Sequence, residues 1–399
     1  ESKIIEANLP SENNVARVVF NSCAVTSEAV RQVKQSIRKE RRQNPDIEII
    51  VTGCAAQINP NIFEQMAEVD HVIGNEEKLN PDIWSRLPNE RVIVNDIMNI
   101  KETAPQMVAG FKGRFRAFAQ IQQGCDHRCT FCIIPYGRGN SRSVPIGEIV
   151  KQFRLLIKNG YKEFVLTGVD ITSYGPDLPG QPRLGTMIKR LLKNVDGIER
   201  LRLSSVDPSE IDEDLLDLIA NEKRLMPSLH LSVQAGDDLI LKRMKRRHLR
   251  DDVIKLSTLL REIRPNIVLG ADLIAGFPTE TDEMFKQTIN LISEAELLHL
   301  HIFPYSARIG TPAAKMPQVT SNTKKMRARL LREAGAALVK DYLSKRVGRN
   351  ETVLLEQNDT GYTDQFFPMK VSGNHKPGEI VTAKVDNVME DNTLVGSTS

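Results

Sequence analysis

The spacing of apolar positions along this chain changes twice, and each change marks a different kind of layer. Residues 15–75 alternate short β-branched runs with amphipathic stretches. VARVVFN (15–21) and IEIIVTG (47–53) read as strands, while Ser27–Gln43 and residues 61–67 carry the helical period. Strands alternating with helices predict a small parallel α/β layer. Cys23 and Cys54 each come just after a strand, where such a sheet places its ligand-binding loops.

From about residue 111 the alternation restarts with six strand-length runs: AFAQIQ (117–122), EFVLTG (163–168), RLRLSS (200–205), SLHLSV (228–233), NIVLGAD (266–272) and LHLHIFP (298–304). Each gap is long enough for a crossover helix, so the expectation is a parallel (β/α)6 partial barrel of TIM type with its site at the C-terminal strand ends. Beyond residue 349 the helical period stops. TVLLEQ, TDQFFPMKV, EIVTAKVDNV and TLVGS read as short antiparallel strands joined by Asn, Asp and Gly turns, which predicts a small OB-like β-barrel. The fold class is therefore α/β with three domains, at 1–105, 111–344 and 345–399.

Composition adds little to this picture. The 399 residues are 40% hydrophobic and 26% charged, ordinary globular values, and no apolar run reaches the length of a membrane span. Net charge is only +3, from 54 Lys and Arg against 51 Asp and Glu, so affinity for a polyanion has to come from local clusters. Three basic runs supply them, at 31–42, 242–250 and 324–349. One such run reads as a solvated helix face, whereas three in a nearly neutral chain point to a polyanionic partner.

The most specific chemistry lies after the first barrel strand, in the octapeptide CDHRCTFC. Cys125, Cys129 and Cys132 stand at a Cys-x3-Cys-x2-Cys spacing. Three thiolates can hold three irons of a 4Fe-4S cubane and leave the fourth open to a small molecule. Structural zinc is the competing reading, but it wants a fourth ligand beyond the loop, and His127 lies inside it. A disulfide set does not suit five cysteines in a chain that opens on no signal peptide, and a reducing cytoplasm suits the thiols.

With these residues laid out, the chain resembles the radical S-adenosylmethionine methylthiotransferases, and among them the type acting on N6-threonylcarbamoyladenosine of tRNA. The resemblance is carried by NSCAVTSEAVRQ and VTGCAAQINP, by QQGCDHRCTFCIIPYGRGNSRSVP, LTGVDITSYG, HLSVQAGDD and ADLIAGFPTET, and by a TRAM-like segment from about 345. It implies a radical cluster on Cys125, Cys129 and Cys132, whose open iron takes S-adenosylmethionine and yields a 5'-deoxyadenosyl radical. It also implies an auxiliary 4Fe-4S cluster in the N-terminal methylthiotransferase domain. Cys23 and Cys54 match two of its ligands, and the third is expected upstream of residue 1.

Further positions follow from the resemblance. Phe131, Gly168, Val169, Ser204, Ser205, Gln234, Ile274 and Gly276 match cofactor-contacting positions at strand ends. Arg138, Ser141 and Arg142 are candidates for holding the cofactor or a substrate phosphate, and Asp170, Tyr174, Tyr305 and Arg308 for the cavity rim. Packing, turns and loop caps are the bland readings of these residues. Lys245, Arg246 and Arg247 are expected to grip RNA.

The implied reaction replaces the C2–H of the modified adenine at position 37, in the anticodon stem-loop, by a methylthio group. Two molecules of S-adenosylmethionine and a reductant such as flavodoxin or ferredoxin would be consumed. The implied alternatives are the isopentenyladenosine type, the type acting on a ribosomal-protein aspartate, and a non-catalytic RNA-binding iron-sulfur protein.

Overall fold

The computed structural model describes residues 5–6, 16–85, 87, 89–101 and 115–398. The boundary expected between the first two domains, at 105–111, lies outside the described residues. The chain divides into two compact units. The first holds residues 1–108, 122–143 and 306–316; the second holds 109–121, 144–305 and 317–399. The cysteine loop of 125–132 thus folds with the N-terminal layer, and the C-terminal barrel folds with the central strands.

In the first unit, β1 (Arg17–Ser22), β2 (Glu48–Gly53), β3 (His71–Ile73) and β4 (Val92–Ile93) form a parallel sheet in that order. The two short strands β3 and β4 escaped the sequence reading, because two or three residues carry no measurable period. Helix α1 (Ser27–Gln43) begins where Thr26 caps the Ala29 N–H at 3.1 Å, and it buries Ile37 on the sheet. The helix read over 61–67 is shorter, at Asn61–Glu64. Between β2 and α2 (Cys54–Ile58) the chain turns at Gly53, with φ +96°. A Cβ there would sit 2.3 Å from the Ser22 carbonyl oxygen, so only glycine lets β2 run directly into the residue that follows it.

In the second unit two parallel sheets cover the expected barrel strands. β5 (Arg116–Gln120), β6 (Glu163–Thr167) and β7 (Arg200–Leu203) pair in order; so do β8 (Ser205–Val206), β9 (Ser228–Gln234), β10 (Val268–Ala275) and β11 (Leu297–Pro304). All six strands read from the sequence are present and parallel. The run RLRLSS is divided at Ser204, whose N–H bonds back to the Leu166 carbonyl at 2.9 Å. One continuous core, from Ala117 through Leu229 and Leu269 to Leu331, lies between the strands and their helices.

The C-terminal strands β12 (Asn350–Leu355), β13 (Thr360–Thr363), β14 (Pro368–Ser372), β15 (Ile380–Val388) and β16 (Leu394–Ser397) close into a barrel in the order β12-β13-β14-β16-β15. Two expectations are corrected here. TDQFFPMKV is two strands rather than one: the Phe366 N–H returns to the Thr363 carbonyl and Phe366 sits at φ +70°, turning the chain. The strands are also not all antiparallel, since β14 and β16 run parallel.

That turn reaches into the base of the parallel strands within the same unit. Arg200 and Arg202 donate to the carbonyls of Thr363 and Asp364 at 2.8–2.9 Å, and His299 Nε2 lies 2.9 Å from the Gln365 carbonyl oxygen. Beneath them Glu163, fully buried, is held by Arg200 at 2.8 Å, by Arg202 at 3.0 Å and by Arg116. Burial opposes its charge, but the three guanidiniums win and keep its carboxyl below the usual range.

Candidate functional site

The thiols of the first unit form two groups joined by one short helix. The loop of Cys125, Cys129 and Cys132 starts at Gly124, where φ is +73° and a Cβ would fall 1.9 Å from the Asn140 carbonyl oxygen. The loop's shape is fixed by its own backbone and by Arg128. Cys125 N–H donates to the Gly139 carbonyl at 3.1 Å, Cys132 N–H to the Cys129 carbonyl at 3.1 Å, and Arg128 Nη1 to the Cys125 carbonyl at 2.8 Å. The Thr130 carbonyl accepts from Ala313 N–H at 2.9 Å. None of the three thiols is in a disulfide, and all are half-buried. Three soft sulfurs on one rigid loop, with solvent access, suit a cubane that leaves one iron for a small molecule.

Immediately after this loop, α3 (Ile134–Arg138) carries the chain to the second thiol group. Gly137 lies against Cys54, a Cβ there falling 3.1 Å from the Cys54 Cβ, and Arg138 Nε donates to Cys54 Sγ at 3.0 Å. Asn75 points its amide nitrogen at the same sulfur from 3.8 Å and receives Lys78 Nζ on its oxygen at 2.6 Å. Cys54 is buried, and burial pushes its thiol up; Lys78 and Asn75 pull the other way, while the neighbouring Cys23 pushes it further. Burial in turn drives Lys78 down to about 8 and Arg138 down to about 10.

Two thiols from successive strand ends, ringed by a buried lysine, a part-buried arginine and an amide donor, suit an anionic iron-sulfur group. Such a group needs nearby positive charge once water is excluded. Beside α2 and α3 an open cleft of about 530 Å³ is lined by Gln57, Ile58, Asn95, Ile97, Ile133 and Tyr136, whose ring is half exposed.

The remaining residues singled out in the sequence fall into several settings. Within the first unit, Arg142 is buried and donates to the carbonyls of Ile100 and Arg138, Ser141 Oγ accepts from Gln122, and Arg308 Nη1 donates to Ser27 Oγ at 3.1 Å. Phe131 is half-buried in the thiol loop.

Within the second unit, Gly168, Val169, Ser204, Gln234, Ile274 and Gly276 stand at or next to C-terminal strand ends, and Ser205 opens the short strand β8 just after β7. Gln234 and Gly276 have φ of +76° and +71°. A Cβ at Gly276 would meet Lys324 Cγ at 2.6 Å. Asp170 caps its own turn, accepting from the Thr172 and Ser173 hydroxyls, and Tyr174 is buried with its hydroxyl on the Val144 carbonyl. Tyr305 is buried, with Lys324 Nζ 4.9 Å above its ring.

The basic run at 242–250 divides. Lys245 is exposed at the left-handed end of helix α4 (Asp238–Met244). Arg246 is largely buried, donating to Asp207 at 2.9 Å and to the Ser232 carbonyl, and Arg247 pairs with Glu210. Arg327, in the third run, is likewise buried against Glu280 and Asp282.

Sequence reasoning missed Asn75, Lys78 and the barrel-base charges Glu163, Arg200 and Arg202. The last three show in hindsight as charged residues alternating with apolar ones inside strands. It also missed His230, Asp272 and His301, which share one face of three adjacent strands.

Residues 120–292 match the radical SAM superfamily, and residues 5–74 match the family described as Uncharacterized protein family UPF0004. Among solved structures, the radical S-adenosylmethionine methyltransferase TsrM from Kitasatospora setae, with cobalamin and a 4Fe-4S cluster bound, aligns at a TM-score of 0.56 and 16% identity. That alignment covers 79% of this chain and 68% of TsrM. Parallel strands followed by a three-thiol loop thus define an enzyme of the radical S-adenosylmethionine class.

Sequence relatives narrow the class. The threonylcarbamoyladenosine tRNA methylthiotransferase MtaB of Rickettsia prowazekii is 53% identical over 392 residues, 98% of this chain and 92% of the relative. That of Aquifex aeolicus is 36% identical over 369 residues, covering 91% and 89%. The tRNA-2-methylthio-N(6)-dimethylallyladenosine synthase of Lawsonia intracellularis is 33% identical over 359 residues, covering 85% and 79%. The chain belongs to the MtaB family of radical SAM methylthiotransferases.

Proposed function

We propose that the protein converts N6-threonylcarbamoyladenosine of tRNA to its 2-methylthio derivative, at the nucleotide just 3' of the anticodon. The observation carrying this reading is the 53% identity with the Rickettsia MtaB over 98% of the chain, against 33% with the Lawsonia dimethylallyladenosine synthase.

The target carbon bears no usefully acidic hydrogen, so a general base cannot start the reaction. When bound, the two clusters and S-adenosylmethionine supply the electron, the radical and the sulfur that side chains cannot. Cys125, Cys129 and Cys132 would hold the radical cluster, and Cys23 and Cys54 would hold the auxiliary one. Arg138, Lys78 and Asn75 offset negative charge around buried Cys54, while Cys23 is exposed.

The half-exposed Tyr136 ring beside the cleft offers a stacking face for a splayed base, and an anticodon loop gives up such a base at a cost of about a few kcal/mol. Gly168, Ser204, Gln234 and Gly276 present backbone and small polar groups at strand ends, which suits the adenosine and methionyl parts of the cofactor. Exposed Lys245 and the β-barrel would hold the stem. A flavodoxin- or ferredoxin-like reductant and a cytoplasmic setting complete the reading; no described helix is long and apolar enough to cross a membrane.

The test is anaerobic incubation of the reconstituted protein with S-adenosylmethionine, dithionite and tRNA carrying either modified adenosine, followed by nucleoside mass spectrometry. A gain of one SCH2 unit on the threonylcarbamoyl nucleoside is expected. A gain confined to isopentenyladenosine, or none, would overturn the assignment.

A further inference from the structure

A cluster of metal-ligating side chains lies in the second unit, which holds none of the five cysteines. Neighbouring strands β9, β10 and β11 carry His230, Asp272 and His301 on one face, in a register that pairs Asp272 with His301 and His230 with Gly270. Asp272 Oδ1 lies 3.0 Å from His230 Nε2 and 3.1 Å from His301 Nδ1, and the two imidazoles stack at 4.5 Å between centroids. The three ligand atoms lie within 4.8 Å of one another.

The backbone is cut to fit these rings. A Cβ at Gly270 would fall 2.7 Å from His230 Nδ1 and 2.5 Å from the His299 carbonyl oxygen, so glycine is what lets the His230 ring occupy its place between the strands. His230 and Asp272 are mostly shielded, whereas the His301 side chain is 63% exposed, leaving one side of the cluster accessible.

We propose that His230, Asp272 and His301 form a site for one divalent first-row cation. Two imidazoles and one carboxylate on a single face suit manganese, iron, cobalt or zinc, with further positions open to water or an oxygen ligand. Separations of 3.0 and 3.1 Å between ligand atoms match the edge of an octahedron whose bonds are about 2.1 Å, so a cation can replace the shared protons with little movement of the rings. Of these ions manganese(II) favours carboxylate, imidazole and water over thiolate, so it reports on this site rather than on the cysteines.

Manganese(II) is therefore the probe, titrated anaerobically into the cluster-loaded protein and read from the electron paramagnetic resonance signal of the free aquo ion. Uptake of one ion per chain is expected, weakened at least tenfold in Asp272→Asn and in His301→Ala, with iron content unchanged. His301→Ala alters a largely exposed ring and keeps the test sound if Asp272→Asn folds poorly. No uptake at millimolar manganese, or uptake that His301→Ala leaves unaltered, would overturn the proposal.

Discussion

Arg138 Nε donates to Cys54 Sγ at 3.0 Å, so the residue that ends the short helix after the three-thiol loop also serves the second thiol group. The guanidinium is part-buried, and desolvation holds it down to about 10, still charged at neutral pH. With Cys54 holding the auxiliary cluster as proposed, a fixed cation beside it favours the more negative, reduced state. Arg138→Gln should therefore lower the midpoint potential of the auxiliary cluster, by on the order of 50 mV for loss of about one charge-assisted hydrogen bond. Potentiometric titration followed by electron paramagnetic resonance checks this, and an unshifted potential at full iron content would refute it.

The two thiol groups should empty separately. Cys132→Ala is expected to cost about four irons per chain and all 5'-deoxyadenosine formation, while Cys54→Ala should cost a similar amount of iron yet leave cleavage of S-adenosylmethionine in place. Iron counting beside chromatography of the nucleoside distinguishes the pair.

Charge at the base of the strands is structural. Glu163 is the shared anion of Arg116, Arg200 and Arg202, and Glu163→Gln leaves three buried guanidiniums without it. The expected loss is about 3–5 kcal/mol, seen as an earlier denaturation midpoint at unchanged slope. A loss below about 1 kcal/mol would mean that water reaches these groups.

Acid should loosen the same region. Burial lowers His299 to about 4, against the Gln365 carbonyl, which favours the proton. A histidine whose folded value lies below its unfolded one adds stability in full above pH 6.5, and that stability is lost as the pH falls toward 4. At 1.36 kcal/mol per unit the swing is at most about 3 kcal/mol. Denaturation midpoints between pH 7 and 4 should show it, and His299→Gln should flatten the profile over that interval.

The basic run at 242–250 predicts a divided response. Lys245→Glu should weaken tRNA binding and reduce the salt slope by about one. Arg246→Glu should instead destabilise the fold, because its partner is buried Asp207. Filter binding at several salt concentrations beside thermal melts tells RNA contact from structural role; equal effects of the two changes on both readouts would contradict the division.

Much of this was legible before any coordinates. Six central strands and the long N-terminal helix were legible because the strands are short apolar runs set apart by helix-length gaps, several of them buried on both faces, and the helix is long enough for its period to show. The cysteines were legible from their spacing and from the motifs around them. What stayed hidden depends on long-range neighbours. Arg138 read as a contact for cofactor or phosphate, since nothing local says that its guanidinium turns to a sulfur 84 positions away in sequence. Arg246 looked like a surface cation because Asp207, 39 positions away, is brought to it only by the fold. TDQFFPMKV hid its turn because Phe366 takes a left-handed backbone that aromatic residues seldom adopt.

The arginines of β7 grasp carbonyl oxygens of the Thr363–Asp364 turn, not its side chains alone. Recognition through the main chain tolerates drift in the identity of those positions while demanding that the loop be present. The C-terminal barrel therefore acts as a stopper for the catalytic framework rather than as a detachable handle, and removing it for convenience in crystallisation or expression would open the floor of the enzyme to water.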